Sequence, residues 1–248
     1  MIEGQTGLST NDMKLVNNWL NNVQHWLLPA TCVLCGAPGH DGIDLCPACQ
    51  ADLPRIKAAC RCCGLPLSKQ DQAICGQCLQ TPRPYQHTLS PFFYQPPLIE
   101  LISQFKFHHR LAMARIFAHL LGDHILARQG KPEVLIPVPL HPRRLRERGY
   151  NQSLEIARLL GRQFGIPVDH GLCHRSRYTQ SQSGLTATDR KRNIKNAFKL
   201  NRPCHYRHLA IIDDVITTGH TVGELAKCLQ KSGADRIDVW SVARAVPD

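Results

Sequence analysis

Aromatic residues make up only 6% of this 248-residue chain, and no stretch of it stays apolar for the ~20 residues that a bilayer span requires. Acidic residues are scarce, 19 against 30 Lys and Arg. The first residues are polar and lack a basic segment followed by an apolar one, so no secretory signal is expected. These absences exclude a helical membrane anchor and argue against export. They also limit stacking as a way of holding nucleic acid, because few aromatics lie near the basic stretch: Tyr150, Phe164, Tyr178, Phe198 and Tyr206. What remains, 43% hydrophobic and 20% charged, is the composition of a globular protein with one sizeable core and room for a small satellite.

Cysteine is plentiful but unevenly placed. Of 12, nine lie between Cys32 and Cys78. Eight form four Cys-x-x-Cys pairs: Cys32/Cys35, Cys46/Cys49, Cys60/Cys63 and Cys75/Cys78. Without an export signal, metal ligation is favoured over disulfides or an iron–sulfur cluster. Two such pairs complete a tetrahedral thiolate site with no open position, hence a structural Zn2+. Four pairs imply two zinc ions, in sequential ribbons at 32–49 and 60–78, although spacing alone also permits crossed pairing. The segment has few large apolar side chains, so metal binding should supply much of its stability. Cys62 is a spare beside a ligand, while Cys173, Cys204 and Cys228 are isolated and read as ordinary small side chains. His40 and His87 could ligate, but four complete pairs make them unnecessary.

The net charge of +11 is concentrated. Residues 141–207 hold 15 Lys and Arg against 4 Asp and Glu, so the whole excess lies there and predicts a basic face. That face suits a pyrophosphate, a nucleic acid, or both.

Residues 209–221 read Leu-Ala-Ile-Ile-Asp-Asp-Val-Ile-Thr-Thr-Gly-His-Thr. The apolar run Leu209–Ile212 predicts a buried parallel strand. Val222, Leu225, Ala226 and Leu229 then recur at helical spacing, with Gly233 as the expected C-cap. The Thr-Thr-Gly-x-Thr turn therefore falls where a strand ends and a helix begins, which favours a phosphate through free N–H groups and the helix dipole. Thr217, Thr218 and Thr221 add hydroxyl donors, and Gly219 permits close backbone approach. Asp213 and Asp214 repel phosphate but suit sugar hydroxyls or a divalent cation on a pyrophosphate. A sugar phosphate reconciles both halves. The pattern resembles the 5-phosphoribosyl-1-pyrophosphate (PRPP) fingerprint of type I phosphoribosyltransferases.

Elsewhere the pattern alternates strands with helices, as an α/β fold requires. A helix is expected over Met13–Leu28, packed on the cysteine module, and ends at Pro29. Five prolines in 81–97 mark a linker with an extended crossing strand. Helical pattern spans about 97–127, a short strand 134–139, a helix Gln152–Phe164, a strand Ile166–Val168 and a last strand Ile237–Ala243. Residues 174–207 read as a long mobile loop with a short helical piece. This divides the chain into a lead and helix (1–28), a double zinc-ribbon module (29–80) and an α/β domain (81–248). A second phosphate cradle is expected where the strand at 136 meets a proline turn, then Arg143, Arg144, Arg146 and Arg148, then Gly149, Asn151 and Gln152 at a helix start. Arginine suits an oxyanion that must be gripped by two oxygens.

The string Val-Pro-Leu-His-Pro with Arg-Gly-Tyr-Asn-Gln after it is similar to a signature of the ComF/GntX family. So are Arg177-x-Thr179-Gln180-x-Gln182-x-x-Leu185 and Arg190-x-x-Asn193 downstream. With the Cys-x-x-Cys knuckles before and the PRPP fingerprint behind, the resemblance covers about residues 25–245, and the chain resembles the GntX branch. It implies a zinc ribbon joined to a parallel-sheet type I phosphoribosyltransferase-like domain, acting in DNA uptake or utilisation. It implies action in the cytoplasm on incoming single-stranded DNA, with uptake proteins at the inner membrane as candidate partners. Carried over by position, Asp213 and Asp214 would meet ribose hydroxyls. Thr217, Thr218, Gly219 and Thr221 would hold the 5-phosphate, and residues 139–149 would face the pyrophosphate with Mg2+. Arg177, Gln182 and Arg190 would close from a mobile loop. No catalytic residue is identified, because no residues that would select a base can be named. Two other readings stay open: a phosphoribosyltransferase (pentosyl) of nucleobase salvage, and a zinc-dependent single-stranded DNA-binding module with a vestigial transferase domain.

Overall fold

The computed structural model describes residues 29–68, 72–108, 110–125, 130–178 and 194–246. The expected helix over Met13–Leu28, and the site candidates Gln182 and Arg190, lie outside the described residues. The chain divides into two compact units, Met1–Asp52 and Leu53–Asp248.

In the first unit the described part is a ribbon ending in a short helix, α1 (Pro47–Ala51). Cys46 is its N-cap, accepting at sulfur from the Cys49 N–H, and Pro47 opens it where a missing N–H costs nothing.

The second unit begins with the second ribbon and its helix α2 (Gly76–Gln80). It continues as β1 (His87–Leu89), β2 (Phe92–Phe93), α3 (Leu98–Phe107), α4 (Met113–Ile125), β3 (Val134–Pro137), α5 (Pro142–Arg148), α6 (Gln152–Phe164), β4 (Cys173–Arg175), β5 (Phe198–Leu200), β6 (His208–Ile216), α7 (His220–Gln230) and β7 (Arg236–Arg244). The main sheet has the order β1-β7-β6-β3, with β2 also on β7, and every pairing within it is parallel.

β6 lies centrally, pairing Leu209 with Val134 on one side and with Ile237 on the other. Side chains on a strand alternate between faces. Val134, Ile136, Leu209, Ile211, Ile237 and Val239 join one buried cluster with Val222, Leu225, Ala226 and Leu229 of α7. Helices α4 and α6 also pack on this sheet, through β3, β6 and β7, and add no residue to that cluster, so they cover the opposite face. Both faces are thus covered, which explains why the strands read as continuous apolar runs.

The parallel sheet with helices was expected, and the helix at Gln152–Phe164 has the anticipated bounds. Several elements differ. β6 does not stop at Ile212 but continues through both acids to Ile216, because Asp213, Val215 and Ile216 still pair with Ser241, Ala243 and Arg244 of β7. The helical pattern anticipated over about 97–127 is carried by two helices. They are separated by a turn in which Met113 N donates to Arg110 O (3.0 Å), and no Pro or Gly in the sequence marks the break. The strand expected at Ile166–Val168 is a single parallel bridge from Val168 to Leu135. Part of the loop expected over 174–207 is instead an antiparallel pair, β4 with β5, anchored by buried Leu172 and Phe198.

The second ribbon is tied into the same sheet. Thr88 N donates to Arg61 O (2.8 Å), Thr88 Oγ1 to Cys62 O (2.5 Å) and Arg244 Nε to Cys63 O (2.9 Å).

One tight approach tests this packing. A Cβ on Gly161 of α6 would come within 2.7 Å of Ile166 O, a backbone atom that cannot swing away. Gly161→Ala is expected to lower unfolding free energy by about 1–3 kcal/mol despite the better helix propensity of alanine, as read from urea denaturation.

Candidate ligand and metal sites

Two sets of four cysteines converge. The Sγ atoms of Cys32, Cys35, Cys46 and Cys49 all lie within 4.8 Å of one another, as do those of Cys60, Cys63, Cys75 and Cys78. Pairing is therefore sequential, and the crossed alternative is eliminated. The Cys35–Cys46 and Cys63–Cys75 sulfur separations are both 3.7 Å. A tetrahedron with zinc–sulfur bonds of about 2.3 Å has edges of about 3.8 Å, so the donor sets fit zinc. Backbone N–H groups aid the thiolates: Cys49 N points to Cys46 Sγ (3.4 Å) and Cys75 N to Cys60 Sγ (3.3 Å). Burial works to raise the Cys32 and Cys60 thiols, but such N–H contacts hold them down at about 6 and about 7. Neither His40 nor His87 joins a cluster; His87 Nδ1 instead faces Asp238 (3.2 Å). Removing zinc with a strong chelator is expected to release two ions per chain, counted by elemental analysis, and to lose the ordered ribbons by circular dichroism.

In the parallel sheet, the carboxyl ends of β3 and β6 lead into the sequence motifs, where α/β folds place their ligands. Asp213 and Asp214 are consecutive strand residues and so have different neighbours. Asp213 Oδ1 accepts from Ser153 Oγ (3.1 Å) in the first turn of α6 and from the Asp214 N–H (3.0 Å). Asp214 is buried; its Oδ1 accepts from Val215 N (2.9 Å) and its Oδ2 pairs with Lys106 Nζ at 2.6 Å. Burial raises the Asp213 carboxyl to about 7, and the Asp214 charge adds to the rise while Lys106 and the hydrogen bonds oppose it.

The turn beyond the acids has the anticipated form. Gly219 has φ +77° and caps α7, and a Cβ there would sit 3.3 Å from Tyr85 Oη. Gly223 N donates back to Gly219 O (2.9 Å), closing the first turn. Thr218 Oγ1 lies 3.0 Å from His220 Nδ1, and Thr221 sits in the first turn of α7. Thr217 and Ile216 turn their carbonyls to Arg244 Nη1.

The arginine cradle is a short helix, α5, set between the proline turn and the start of α6. His141 caps it with Nδ1 accepting from Arg143 N (3.2 Å), and Gly149 ends it at φ +77°. Its arginines diverge. Arg143 is exposed, bonded to Glu147 (3.1 Å) and stacked over Tyr178 (4.6 Å). Arg148 turns inward, bonded to Gln152 Oε1 (2.7 Å) and set against the Phe107 ring (5.4 Å). Burial lowers the pKa of Arg148, and the Asp214 charge partly restores it. Arg144 and Arg148 line a cavity of about 110 Å³ with Lys106, Phe107 and Glu147. Asn151 caps α6, accepting from Ser153 N and Leu154 N, and donates to Val138 O (3.0 Å) at the end of β3. Its side chain thereby fixes the helix start to the strand end. Arg177 donates to Lys195 O (3.0 Å) across the β4–β5 pair.

Three neighbours were not anticipated as site residues: Lys106, Ser153 and Arg175. Lys106 closes α3 more than a hundred residues before the acid it meets, and no local pattern announces that. Ser153 sits two residues after Asn151, so its place beside the cradle was at least readable. Arg175, half-buried on β4, has its pKa lowered by burial, which the Asp213 charge partly offsets.

The Asp213 shift has a stability consequence. A carboxyl whose folded value exceeds its ordinary one near 4 favours the fold while protonated and loses that contribution as pH rises through about 7. Asp213→Asn is therefore expected to be more stable than the parent at pH 8, by about 2 kcal/mol after allowing for part exposure, with the gap closing toward pH 5. Thermal melts across that range check it.

The first ribbon and the second together match the double zinc ribbon domain over residues 23–79. The DNA utilization protein YhgH of Escherichia coli (strain K12) is 40% identical over 227 residues, 88% of this chain and 99% of that protein. Competence protein F of Haemophilus influenzae is 38% identical over 211 residues, 81% of this chain and 90% of that one. Among solved structures, the purine phosphoribosyltransferase of Pyrococcus horikoshii overlaps 54% of this chain and 86% of its own, at 20% identity and a TM-score of 0.33. Identity of 38–40% to the two named relatives over most of both chains, with the cysteine pairs and acid–threonine motif in order, makes this chain a member of the ComF/GntX family.

Proposed function

We propose that the chain binds PRPP at the end of β6 and acts in the uptake or use of DNA, with its basic surface engaging single-stranded DNA. The observation that carries the ligand is the continuity of Asp213, Asp214 and the Thr217–Thr221 turn on one strand and its following helix. A phosphate needs N–H and hydroxyl donors; a ribose needs acceptors; few ligands need both in immediate succession. Lys106, 2.6 Å from Asp214, supplies a positive charge that Mg2+ on a pyrophosphate would otherwise supply at the acids. Arg144 and Arg148 beside it suit the pyrophosphate itself.

The DNA role rests on the named relatives and on the charge concentrated in 141–207. Among the described residues no helix is long and apolar enough to cross a membrane. Binding of DNA dominated by phosphate contacts weakens steeply with salt. Tyr178, part-exposed beside Arg143 and Arg144, is one of the few rings available for a base.

Calorimetric titration of PRPP with Mg2+ tests the ligand. The double variant Asp213→Ala, Asp214→Ala is expected to lose at least tenfold in affinity, on the order of 1.4 kcal/mol, while keeping its zinc. Unchanged affinity would remove the assignment. Titrating PRPP with and without single-stranded DNA asks whether the two ligands are coupled, since any coupling must be reciprocal. Pyrophosphate release with PRPP and one specific base would instead mark a working transferase.

A further inference from the structure

Arg244, the last residue of β7, is 2% exposed. Its recorded hydrogen bonds all run to backbone carbonyls: Nε to Cys63 O (2.9 Å), and Nη1 to Ile216 O (3.1 Å), Thr217 O and Ala245 O (2.6 Å). A guanidinium buried with carbonyls alone is costly, because dipoles only partly replace water around a full charge. Four thiolates around one Zn2+ would carry a net charge of −2, and Cys63, whose carbonyl accepts from Arg244 Nε, is one of the four ligands.

The other end of Arg244 grips the turn that follows the acids. A trans peptide points its C=O and N–H in opposite directions. By drawing the carbonyls of Ile216 and Thr217 to itself, Arg244 turns the N–H groups of Thr217 and Thr218 away from the guanidinium. Tyr85 makes a second link between the same two places. Its carbonyl accepts from Cys62 Sγ (3.8 Å), and its hydroxyl is what a Cβ on Gly219 would meet at 3.3 Å.

We propose that Arg244 is a positioning residue that couples the second zinc centre to the phosphate turn, so that zinc retention in that ribbon and phosphoryl-ligand binding reinforce each other. This rests on the PRPP reading above. The zinc centre anchors one end of the guanidinium; the other end sets the direction of two N–H donors. Loss of the metal frees the Cys63 knuckle and with it the turn.

The test uses the full chain. PRPP with Mg2+ is titrated by calorimetry into wild type, zinc-stripped wild type, Arg244→Lys and Arg244→Gln, with circular dichroism to confirm folding. Zinc release to a chromogenic chelator is followed with and without saturating PRPP. In wild type, PRPP is expected to slow one of two release phases several-fold. Arg244→Gln is expected to bind PRPP on the order of tenfold more weakly and to lose that protection, while Arg244→Lys, which keeps the charge but not the fork, falls between. Undiminished affinity in Arg244→Gln, or protection that persists in it, overturns the proposal. If neither variant folds, undiminished affinity after zinc stripping of wild type overturns it instead. If wild type itself fails to bind PRPP, the ligand reading fails separately. The coupling is then read with inorganic pyrophosphate as the probe, and equal zinc-release rates in wild type and Arg244→Gln overturn it.

Discussion

Strand β6 is hydrogen-bonded on both sides along its apolar part and stays bonded to β7 past it, through Asp213 to Ile216. The rest of the molecule depends on that overrun. Backbone polar groups at a strand end usually fray or turn, but here the ladder holds two acids at fixed depth and delivers the chain to α7 from a rigid start. A carboxylate held at such a depth must find partners or a proton. Asp214 finds Lys106; Asp213, with Ser153 and a backbone N–H, keeps a raised affinity for its proton. Strain of this electrostatic kind is common where a charged ligand is to be received.

Around that strand, helix caps serve as joints. Asn151 spends its side chain on the start of α6 and on the end of β3, which puts Ser153 against Asp213. Gly149 and Gly219, both at φ +77°, make the two turns that flank the candidate site. At each a Cβ would oppose the backbone conformation, and at Gly219 it would also crowd Tyr85. The arginine-rich helix α5 lies between these joints and faces two ways. Arg148 and Arg144 border the cavity, whereas Arg143 stacks on Tyr178 at the root of the downstream segment.

The zinc ribbons differ in their relation to the fold. The second is continuous with the α/β unit, since the compact division falls between Asp52 and Leu53, and its knuckle carbonyls accept from Thr88 and Arg244. A metal centre that shares hydrogen bonds with a sheet edge acts as part of the core, in a region with few apolar side chains of its own.

Patterns that depend on neighbours in the chain were legible from the start. The Cys-x-x-Cys pairs, the apolar run before the two acids, the Thr-Thr-Gly turn and the period of Gln152–Phe164 each state a local geometry, and each appears as expected. What required the tertiary structure was anything decided by distant partners. Sequential zinc pairing, the extension of β6 along β7 and the pairing of β4 with β5 are set by which segments meet in the fold, and the break between α3 and α4 is a turn that no Pro or Gly announces. Lys106 and Arg244 are the clearest cases. A lysine at a helix end and an arginine at a strand end carry no local signal, and their roles come from what folding brings within 3 Å of their charged groups.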